Sequence, residues 1–374
     1  MISYSYRRYR PGDERAVNGL YQLLTGRIRS TAAYRWQWFH NPADRSEIWL
    51  IEAGQNEGDR VLIGHHGIMP IPFSMGREDL LFGKTENTFV HPDYRSRILY
   101  PRFESRFRQE YEGRFHALFS TMGSEEAIRQ RKAQGYHFAA AWKQYCWSVH
   151  PVSDAFFLVA ALRERFVSSF QQKTGRQKAG LPSKRNPAGK WKHLNVEITC
   201  HMPPETERVD FFKTFWKSVR HRYGITPSRN YRELRWRFWD NPYISYMTLI
   251  MNEPNAGSGL AFICEPMPGM MRIDDFIVSH PQTELYGFLL NALLQWAGRQ
   301  GAKFVQFTTT DDSIEWIGRA NFNPGVREIL LPVIMNRYRK KELKMPRKIC
   351  AAGRNAGLQD RGWYITPMVF EGIQ

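Results

Sequence analysis

The alternation of apolar and polar residues along the chain predicts a series of short strands with amphipathic helices between them. Residues 85–90 alternate polar and β-forming side chains, which favours a strand, and Pro92 ends it because proline cannot donate to a strand ladder. From residue 99 onward Phe103, Phe107 and Tyr111 recur every four positions, which is typical of the buried face of a helix. The pattern predicts a strand, a tight basic turn and a helix, which together aim backbone N–H groups at an anion such as a phosphate.

The same reasoning predicts the elements on either side of this stretch. Further strands are predicted at residues 4–9, 48–53, 61–69, 71–75, 80–82, 115–121 and 143–149. Helices are predicted after Asp13, which is the expected N-cap, and over residues 125–134. We interpret residues 143–149 as the strand that closes the first domain. A helix over 153–172 and a basic stretch over 173–192, rich in glycine and proline, follow.

The second half of the chain repeats the first. Residues 35–42, Arg-Trp-Gln-Trp-Phe-His-Asn-Pro, return 200 positions later as Arg-Trp-Arg-Phe-Trp-Asp-Asn-Pro. His91-Pro92 returns as His280-Pro281, and a helix at 285–299 and a strand at 304–309 follow in the same order. We predict two domains of one fold, at 1–150 and 206–374, joined by a helix and a basic linker over 151–205. The tryptophans of both boxes have helical spacing and are predicted to be core residues.

Composition narrows the class of protein and of partner. The chain has 374 residues, of which 42% are hydrophobic and 14% aromatic, which suits two or three packed domains. Its net charge of +17 favours an anionic partner, such as CoA, nucleic acid or an acidic polymer. The four cysteines are far apart, the histidines have no metal-ligand spacing, and no apolar run reaches the length of a membrane span. A cytoplasmic protein without a metal site is the expectation.

The strand, the turn His91-Pro92-Asp93-Tyr94-Arg95 and the following helix resemble the acyl-CoA-binding core of the GNAT (N-acetyltransferase) superfamily. The family's usual motif is Arg/Gln-x-x-Gly-x-Gly/Ala. Arg95 matches its first position, whereas Ile98 and Tyr100 stand at the two glycine positions. The resemblance implies an α/β (α+β) fold with two tandem GNAT-like domains, each a mixed, mostly antiparallel sheet flanked by helices.

The resemblance also implies site residues in the first domain. It implies that the backbone at Phe89 and Val90 receives the thioester of an acyl-CoA, and that the turn receives its phosphates through Arg95, Ser96, Arg97, Ile98, Leu99 and Tyr100. Glu86 and Asn87, on the same strand, are the predicted base candidates. The second copy has no basic residue after His280-Pro281, and Glu284 there would repel a pyrophosphate. Asp274 and Asp275 on its central strand are expected to face the cleft between the domains.

Three functions stay open on the sequence. The first is an acyl-CoA-dependent N-acyltransferase that uses acetyl-CoA or another acyl-CoA. Its acceptor would be an amine of a small molecule, an amino sugar or a polymer precursor, with anionic and saccharide acceptors among the candidates. The second is an aminoacyl-tRNA-dependent transferase of the peptidoglycan-bridge type, which the basic charge would suit. The third is a catalytically degenerate pair of domains that acts as a binding or scaffold protein. Saturable binding of CoA separates the first function from the other two.

Overall fold

The computed structural model describes two mixed sheets flanked by helices. It describes residues 2–95, 99–111, 113–120, 129–131, 133, 136, 143–149, 191–193, 196–201, 209–253, 257–281, 284–310 and 364–369. The predicted helix at 153–172, the basic stretch at 173–192 apart from residues 191 and 192, and most of the helix at 125–134 lie outside these ranges.

The helices are α1 (Glu14–Thr25), α2 (Thr31–Phe39), α3 (Leu99–Tyr111), α4 (Val209–Val219), α5 (Tyr231–Leu234), which continues as a π-helical turn over Arg235–Trp239, and α6 (Glu284–Arg299). The strands are β1 (Ser3–Arg8), β2 (Glu47–Gly54), β3 (Val61–Met75), β4 (Glu78–Val90), β5 (Ala117–Phe119), β6 (Lys143–Ser148), β7 (Trp191–His193), β8 (Val196–His201), β9 (Ile225–Pro227), β10 (Met247–Glu253), β11 (Gly257–Met267), β12 (Met270–Val278) and β13 (Phe304–Thr309). None of the described helices is both long and apolar enough to cross a bilayer.

The first sheet has the order β1-β2-β3-β4-β5, and only the β4–β5 pair is parallel. The strands predicted at 61–69 and 71–75 form one strand, β3, although Pro70 and Pro72 lie inside it. Proline has no N–H group to donate to a neighbouring strand. Both prolines are tolerated because β2 pairs with β3 only as far as Ile68, so no hydrogen bond to β2 is lost at either proline. Strand β9, from the second half of the chain, pairs with β3 over Phe73–Met75.

The second sheet has the order β6-β13-β12-β11-β10-β8-β7, and the β12–β13 pair is parallel like the β4–β5 pair. Strand β6 comes from the first half of the chain and pairs antiparallel with β13. The prediction that residues 143–149 complete the first sheet is therefore wrong. Each half of the chain contributes a strand to the sheet of the other half. Strand β6, from the first half, joins the second sheet, and strand β9, from the second half, joins the first sheet.

The two repeated aromatic boxes pack against each other between the sheets. The Trp36 and Trp236 rings stack 5.4 Å apart, and each indole N–H donates to the backbone carbonyl of the other tryptophan at 3.0 Å. This reciprocal contact relates the two copies by an approximate two-fold axis. One buried cluster runs from Trp36 and Phe73 of the first half to Phe238 and Phe262 of the second. The prediction that the box tryptophans are core residues is confirmed for Trp36, Trp38 and Trp236, which are buried, whereas Trp239 is half-buried at the edge of the core.

The two helices that carry the boxes begin in the same way. Ser30 accepts a hydrogen bond from the backbone N–H of Ala33, and Asn230 accepts from the N–H groups of Arg232 and Glu233. These are side-chain N-caps, which satisfy donors that a helix leaves free at its first turn. Asp13 stands at the N-cap position of α1, as predicted, but its side chain makes no capping hydrogen bond. Its carboxylate instead accepts two hydrogen bonds from the Arg7 guanidinium, at 2.7 and 2.8 Å.

Candidate functional site

An opening lies between β4 and β5, at the strand that the sequence predicts to be central. The ladder between the two strands ends at the pair Lys84–Phe119, whereas the ladder between β4 and β3 continues to Val90. The Thr85 hydroxyl donates to the Phe119 carbonyl at 3.3 Å where the strands part. Residues 85–90 of β4 therefore have a strand partner on the β3 side, and none on the β5 side among the described residues.

A β-bulge marks the middle of this free edge. Glu86 pairs with Gly67 and Phe89 with His65, so one extra residue is inserted in β4 opposite His66. Asn87 has a φ of 49°, in the left-handed region that few residues other than glycine adopt. The bulge re-aims the backbone and side chains of Asn87 and Thr88 relative to a regular strand, at the point where β4 has lost its second neighbour.

The turn after β4 closes against the end of the strand. The short 3₁₀ helix Pro92–Tyr94 begins with the Nδ1 atom of His91 accepting from the N–H of Asp93 at 3.3 Å. The Arg95 side chain is exposed, and its Nε–H donates to the Val90 carbonyl at 3.1 Å. This contact keeps the guanidinium beside the end of the free edge, and α3 begins four residues later at Leu99.

A buried polar cluster lines the α3 side of the bulge. The Nε2 atom of His66 and the carboxylate of Glu104 lie 3.3 Å apart, and the Tyr136 hydroxyl donates to the same carboxylate at 3.1 Å. Arg131 donates to the Ser120 hydroxyl next to the end of β5. Burial lowers the pKa of His66 to about 4, against the opposing effect of the Glu104 charge, so the imidazole is neutral at pH 7.

Sequence reasoning missed His66 and Glu104. The signal was present for Glu104, since a carboxylate next to Phe103 and near Phe107 falls on the apolar face of an amphipathic helix. His66 carried no such signal, because its position opposite the bulge depends on the pairing of two strands. Both side chains are at most 2% exposed, and they lie behind the free edge of β4.

The second sheet has an equivalent opening, and protein fills it. The ladder between β12 and β13 ends at the pair Ile273–Phe307, while β12 pairs with β11 up to Val278. The Tyr223 hydroxyl accepts from the N–H of Val278 and contacts its carbonyl, both at 2.9 Å, and the Tyr364 hydroxyl donates to the Phe276 carbonyl. The edge that is free in the first sheet is thus bonded and buried in the second.

Strand register relates the two openings residue by residue. Val90 pairs with Gly64 at the end of β4, and Val278 pairs with Gly259 at the end of β12, so the two valines are equivalent. His91 then corresponds to Ser279, one position away from the match of His91 with His280 that the sequence suggested. Glu86 pairs with Gly67, three residues beyond Gly64, and Asp275 pairs with Phe262, three residues beyond Gly259, so Glu86 corresponds to Asp275.

Solved structures of similar shape share this architecture. A conserved protein of unknown function from Enterococcus faecalis V583, described as a probable N-acyltransferase, superposes with a TM-score of 0.57 at 10% identity, over 87% of this chain and 70% of that one. A GCN5-related N-acetyltransferase from Anabaena variabilis ATCC 29413 gives 0.52 at 10% identity, over 84% and 68%. The chain has the fold of the GCN5-related N-acetyltransferases.

A second GCN5-related N-acetyltransferase, from Kribbella flavida, gives a TM-score of 0.50 at 11% identity, over 82% of this chain and 64% of that one. No family model matches the sequence, and no curated protein matches it. Identities this low show the fold of the chain and nothing more specific. They confirm the predicted fold class, with its two mixed sheets flanked by helices.

Within the acetyltransferase fold, the predicted site residues fall into three groups. Phe89 and Val90 border the first opening, and Arg95 lies at its end. Leu99, the first residue of α3, is only 5% exposed and its side chain packs in the core, so only its backbone can contact a ligand. Ser96, Arg97 and Ile98, and the side chain of Tyr100, lie outside the described residues.

The two predicted base candidates both lie at the bulge. The Glu86 carboxylate forms an ion pair with the ammonium of Lys84, which is 1% exposed. Asn87 has its side-chain nitrogen buried with no hydrogen-bond partner among the described residues. The ion pair with Lys84 therefore fixes the position of the Glu86 carboxylate. The side-chain NH₂ group of Asn87 has no hydrogen-bond acceptor among the described residues.

In the second half Asp274 and Asp275 do not face a cleft, contrary to expectation. Both are buried, at 2% and 0% exposure. Arg272 donates twice to Asp274, at 2.6 and 2.7 Å, and Arg229 donates twice to Asp275, at 2.9 Å each. Both carboxylates serve as structural ion-pair partners.

Proposed function

We propose that this protein is an acyl-CoA-dependent N-acyltransferase whose thioester lies along the free edge of β4 in the first opening. The observation that carries the proposal is that one of two equivalent openings is filled by tyrosines, whereas no described residue fills the other. An extended ligand arm can bond to a free strand edge in the way that an added strand does. The acetyltransferase fold gives that ligand its class, an acyl-CoA.

The turn after β4 suits the phosphate end of such a ligand. Arg95 stands at the end of the free edge, and the 13-residue helix α3 begins just beyond it with its N-terminus. A helix N-terminus favours negative charge because its first N–H groups are free and its dipole is positive there. We propose that Arg95, Ser96 and Arg97, with the backbone around Ile98 and Leu99 and the side of Tyr100, hold the phosphates.

The reaction needs few side chains. The amine nitrogen of the acceptor attacks the thioester carbonyl carbon, a C–N bond forms as the C–S bond breaks, and the thiolate of CoA leaves and takes a proton from solvent. The amine proton passes to a base, for which we propose the Glu86 carboxylate, held by Lys84 and beside the bulge at Asn87. A cytoplasmic location, where acyl-CoA is available, stays a prediction.

The proposal is tested by release of the CoA thiol. Purified protein with acetyl-CoA and a panel of amines should release thiol in step with acceptor loss. Glu86→Gln should lower kcat by about 10²–10⁴, which is the usual contribution of a general base. Glu110→Gln, at an exposed position on α3, is the matched control and should leave the rate unchanged.

Thiol release that Glu86→Gln leaves intact would remove Glu86 from the mechanism. Absence of thiol release with every amine and every acyl-CoA would overturn the proposed function. In that case steeply salt-dependent binding of tRNA would indicate the aminoacyl-tRNA-dependent transferase. If the protein binds neither acyl-CoA nor tRNA, the third function, a catalytically degenerate binding or scaffold protein, would remain.

A further inference from the structure

A hydroxyl, an imidazole and a carboxylate follow one another behind the free edge of β4. Thr88, on the bulge, has its hydroxyl oxygen in hydrogen-bond contact with the Nδ1 atom of His66. The other ring nitrogen of His66, Nε2, lies 3.3 Å from the Oε2 atom of Glu104 on α3. Neither Nε2 nor Oε2 has a hydrogen-bond partner elsewhere in the described parts of the chain, so each is available to the other. A hydroxyl beside a base that a third group orients is the arrangement of an activated nucleophile.

The surroundings of His66 fix the roles of its two ring nitrogens. The imidazole packs against the rings of Phe103 and Phe107, whose centres lie 5.5 and 4.0 Å from its own. Glu104 is buried next to Phe103, and its other carboxylate oxygen accepts from the Tyr136 hydroxyl at 3.1 Å. Because a carboxylate can only accept, the proton of the neutral imidazole lies on Nε2, and Nδ1 is left to accept the hydroxyl proton.

The three side chains differ in their access to the opening. His66 and Glu104 are buried, whereas Thr88 is half-buried on the part of β4 that has no β5 partner among the described residues. Burial lowers the pKa of His66 to about 4, so the ring is neutral at pH 7 and able to take a proton. The imidazolium that forms then lies beside the Glu104 carboxylate, which offsets part of the cost of a buried charge. Of the three groups, the hydroxyl is the one that borders the opening.

The second half shows that the fold does not need a polar group at this position for packing. The strand register places Ala261 at the position of His66. Phe276 pairs with Ala261 where the first half has its bulge, and both residues are fully buried in an apolar cluster. Burying a histidine and a glutamate instead costs free energy that apolar side chains do not cost. Packing therefore does not account for the imidazole and the carboxylate, whereas a chemical role does.

We propose that Thr88 is a nucleophile that, without any amine, takes the acyl group of a thioester or another activated ester bound in the first opening. Nδ1 of His66 takes the hydroxyl proton as the Thr88 oxygen attacks the carbonyl carbon, and a C–O bond forms. The C–S bond of the thioester breaks, and the proton passes from the imidazolium to the departing thiolate. The products are an acyl-threonine ester, which water can hydrolyse, and a free thiol. The position of the thioester rests on the proposed function, whereas the activation of the hydroxyl does not.

The test uses two acyl donors in the absence of amines: acetyl-CoA, and p-nitrophenyl acetate, which needs no CoA site. The protein should release p-nitrophenol and gain one acetyl group at Thr88, located by peptide mass spectrometry after an acid quench. Alkaline hydroxylamine should remove this label, because it cleaves esters and leaves the amides of acetylated lysines intact. Thr88→Val should lose the label, and Thr88→Ser, which restores a hydroxyl, should keep it. Thr31→Val, at an exposed threonine, is the matched control and should keep the label.

Variants behind Thr88 test whether its hydroxyl is activated. His66→Gln should slow the release of p-nitrophenol by about 10²–10⁴, the usual contribution of a general base. Glu104→Gln should slow it as well, and it serves if His66→Gln does not fold, which the melting temperature shows. A label confined to lysines, or an ester that forms equally fast in these variants, would overturn the proposal. An ester from p-nitrophenyl acetate without binding of acetyl-CoA would refute the proposed function alone, whereas binding of acetyl-CoA without an ester at Thr88 from either donor would refute only the nucleophile.

Discussion

The two openings have the same strand geometry, but tyrosine side chains fill the second opening, whereas no described residue fills the first. In each, a central strand loses its parallel neighbour five or six residues before its end while it stays paired on the other side. In the second opening the hydroxyls of Tyr223 and Tyr364 bond the backbone of β12, and Thr366 donates to Asp275 at 2.7 Å. In the first, the free backbone of β4 ends beside the exposed Arg95. In the first repeat this edge has no strand partner among the described residues, and in the second repeat tyrosine side chains bury it.

The charged groups beside the two openings follow the same division. Lys84 pairs with Glu86 and Arg272 pairs with Asp274, so each central strand has a basic residue paired with the carboxylate two positions later. The pair between Arg229 and Asp275 has no counterpart among the described residues, because Glu86, which the register places at the position of Asp275, pairs with Lys84. Arg229, beside the second opening, is therefore paired with a carboxylate of the protein. Arg29, which precedes the N-cap of α2 as Arg229 precedes that of α5, has no carboxylate partner among the described residues, and its Nη2 atom is buried without a hydrogen bond.

The largest expected effect is that of breaking the complete pair. Asp275→Asn leaves Arg229 buried without a carboxylate and should lower the free energy of unfolding by about 3–5 kcal/mol. Urea denaturation measures this loss. Asp240→Asn, whose side chain is 50% exposed in an ion pair with Arg235, should cost less than about 1 kcal/mol. If both variants lost the same free energy of unfolding, the buried pair of Arg229 and Asp275 would matter no more for stability than an exposed ion pair, and it would not set the two halves apart.

A second difference concerns Glu233, which stands where the first box helix has Ala33. Glu233 is 8% exposed, and burial raises its pKa to about 7. The folded protein therefore holds this proton up to a higher pH than the unfolded chain, and the free energy of unfolding should fall as the pH rises from about 4.5 to about 7.

Glu233→Gln should remove that fall and raise the free energy of unfolding at pH 8 by about 2–3 kcal/mol, with little change at pH 4.5. Denaturation at both pH values measures the effect. Asp210→Asn, at an exposed position on α4, should change neither value. A gain that is the same at both pH values would exclude titration of Glu233 as its cause.

The smallest expected effect concerns the tyrosine that closes the second opening. Tyr223→Phe removes a hydroxyl that both accepts from and donates to Val278, and it should lower the free energy of unfolding by about 1–2 kcal/mol. Tyr4→Phe, whose side chain is 43% exposed, is the matched control and should cost almost nothing. Loss of acetyl-CoA binding in Tyr223→Phe would contradict the assignment of the ligand to the first opening.

Local pattern was sufficient to predict most elements and the repeat. The strand at 85–90, the turn at Pro92 and the helix from residue 99 all follow from residues near in sequence, and the box tryptophans are core as predicted. The placement of β6 was not predictable, because alternation of apolar and polar residues identifies a strand without naming the sheet it joins. The placement of β6 in the second sheet and of β9 in the first depends on how the two halves of the chain pack against each other.

The relative positions of the strand, the turn and the helix follow from the sequence pattern, whereas the polar contacts around them do not. The free edge, Val90 and Arg95 lie together as the strand–turn–helix pattern implied. The bulge at Asn87, the pairing of Glu86 with Lys84 and the burial of Arg29 depend on strand register and on packing between helices, which a single sequence does not encode locally. The comparison with the second half supplies what the pattern could not, since it shows the same arginine with its carboxylate.

Calorimetric titration with acetyl-CoA tests the central claim most directly. The account predicts one binding site per chain, weakened about tenfold or more by Arg95→Ala plus Arg97→Ala, since two charges at the phosphate turn are removed. Arg232→Ala plus Arg299→Ala removes the same charge from exposed positions of the second half and should leave the affinity unchanged. Two sites per chain, an affinity that the first double variant does not alter, or no binding at all would contradict the account.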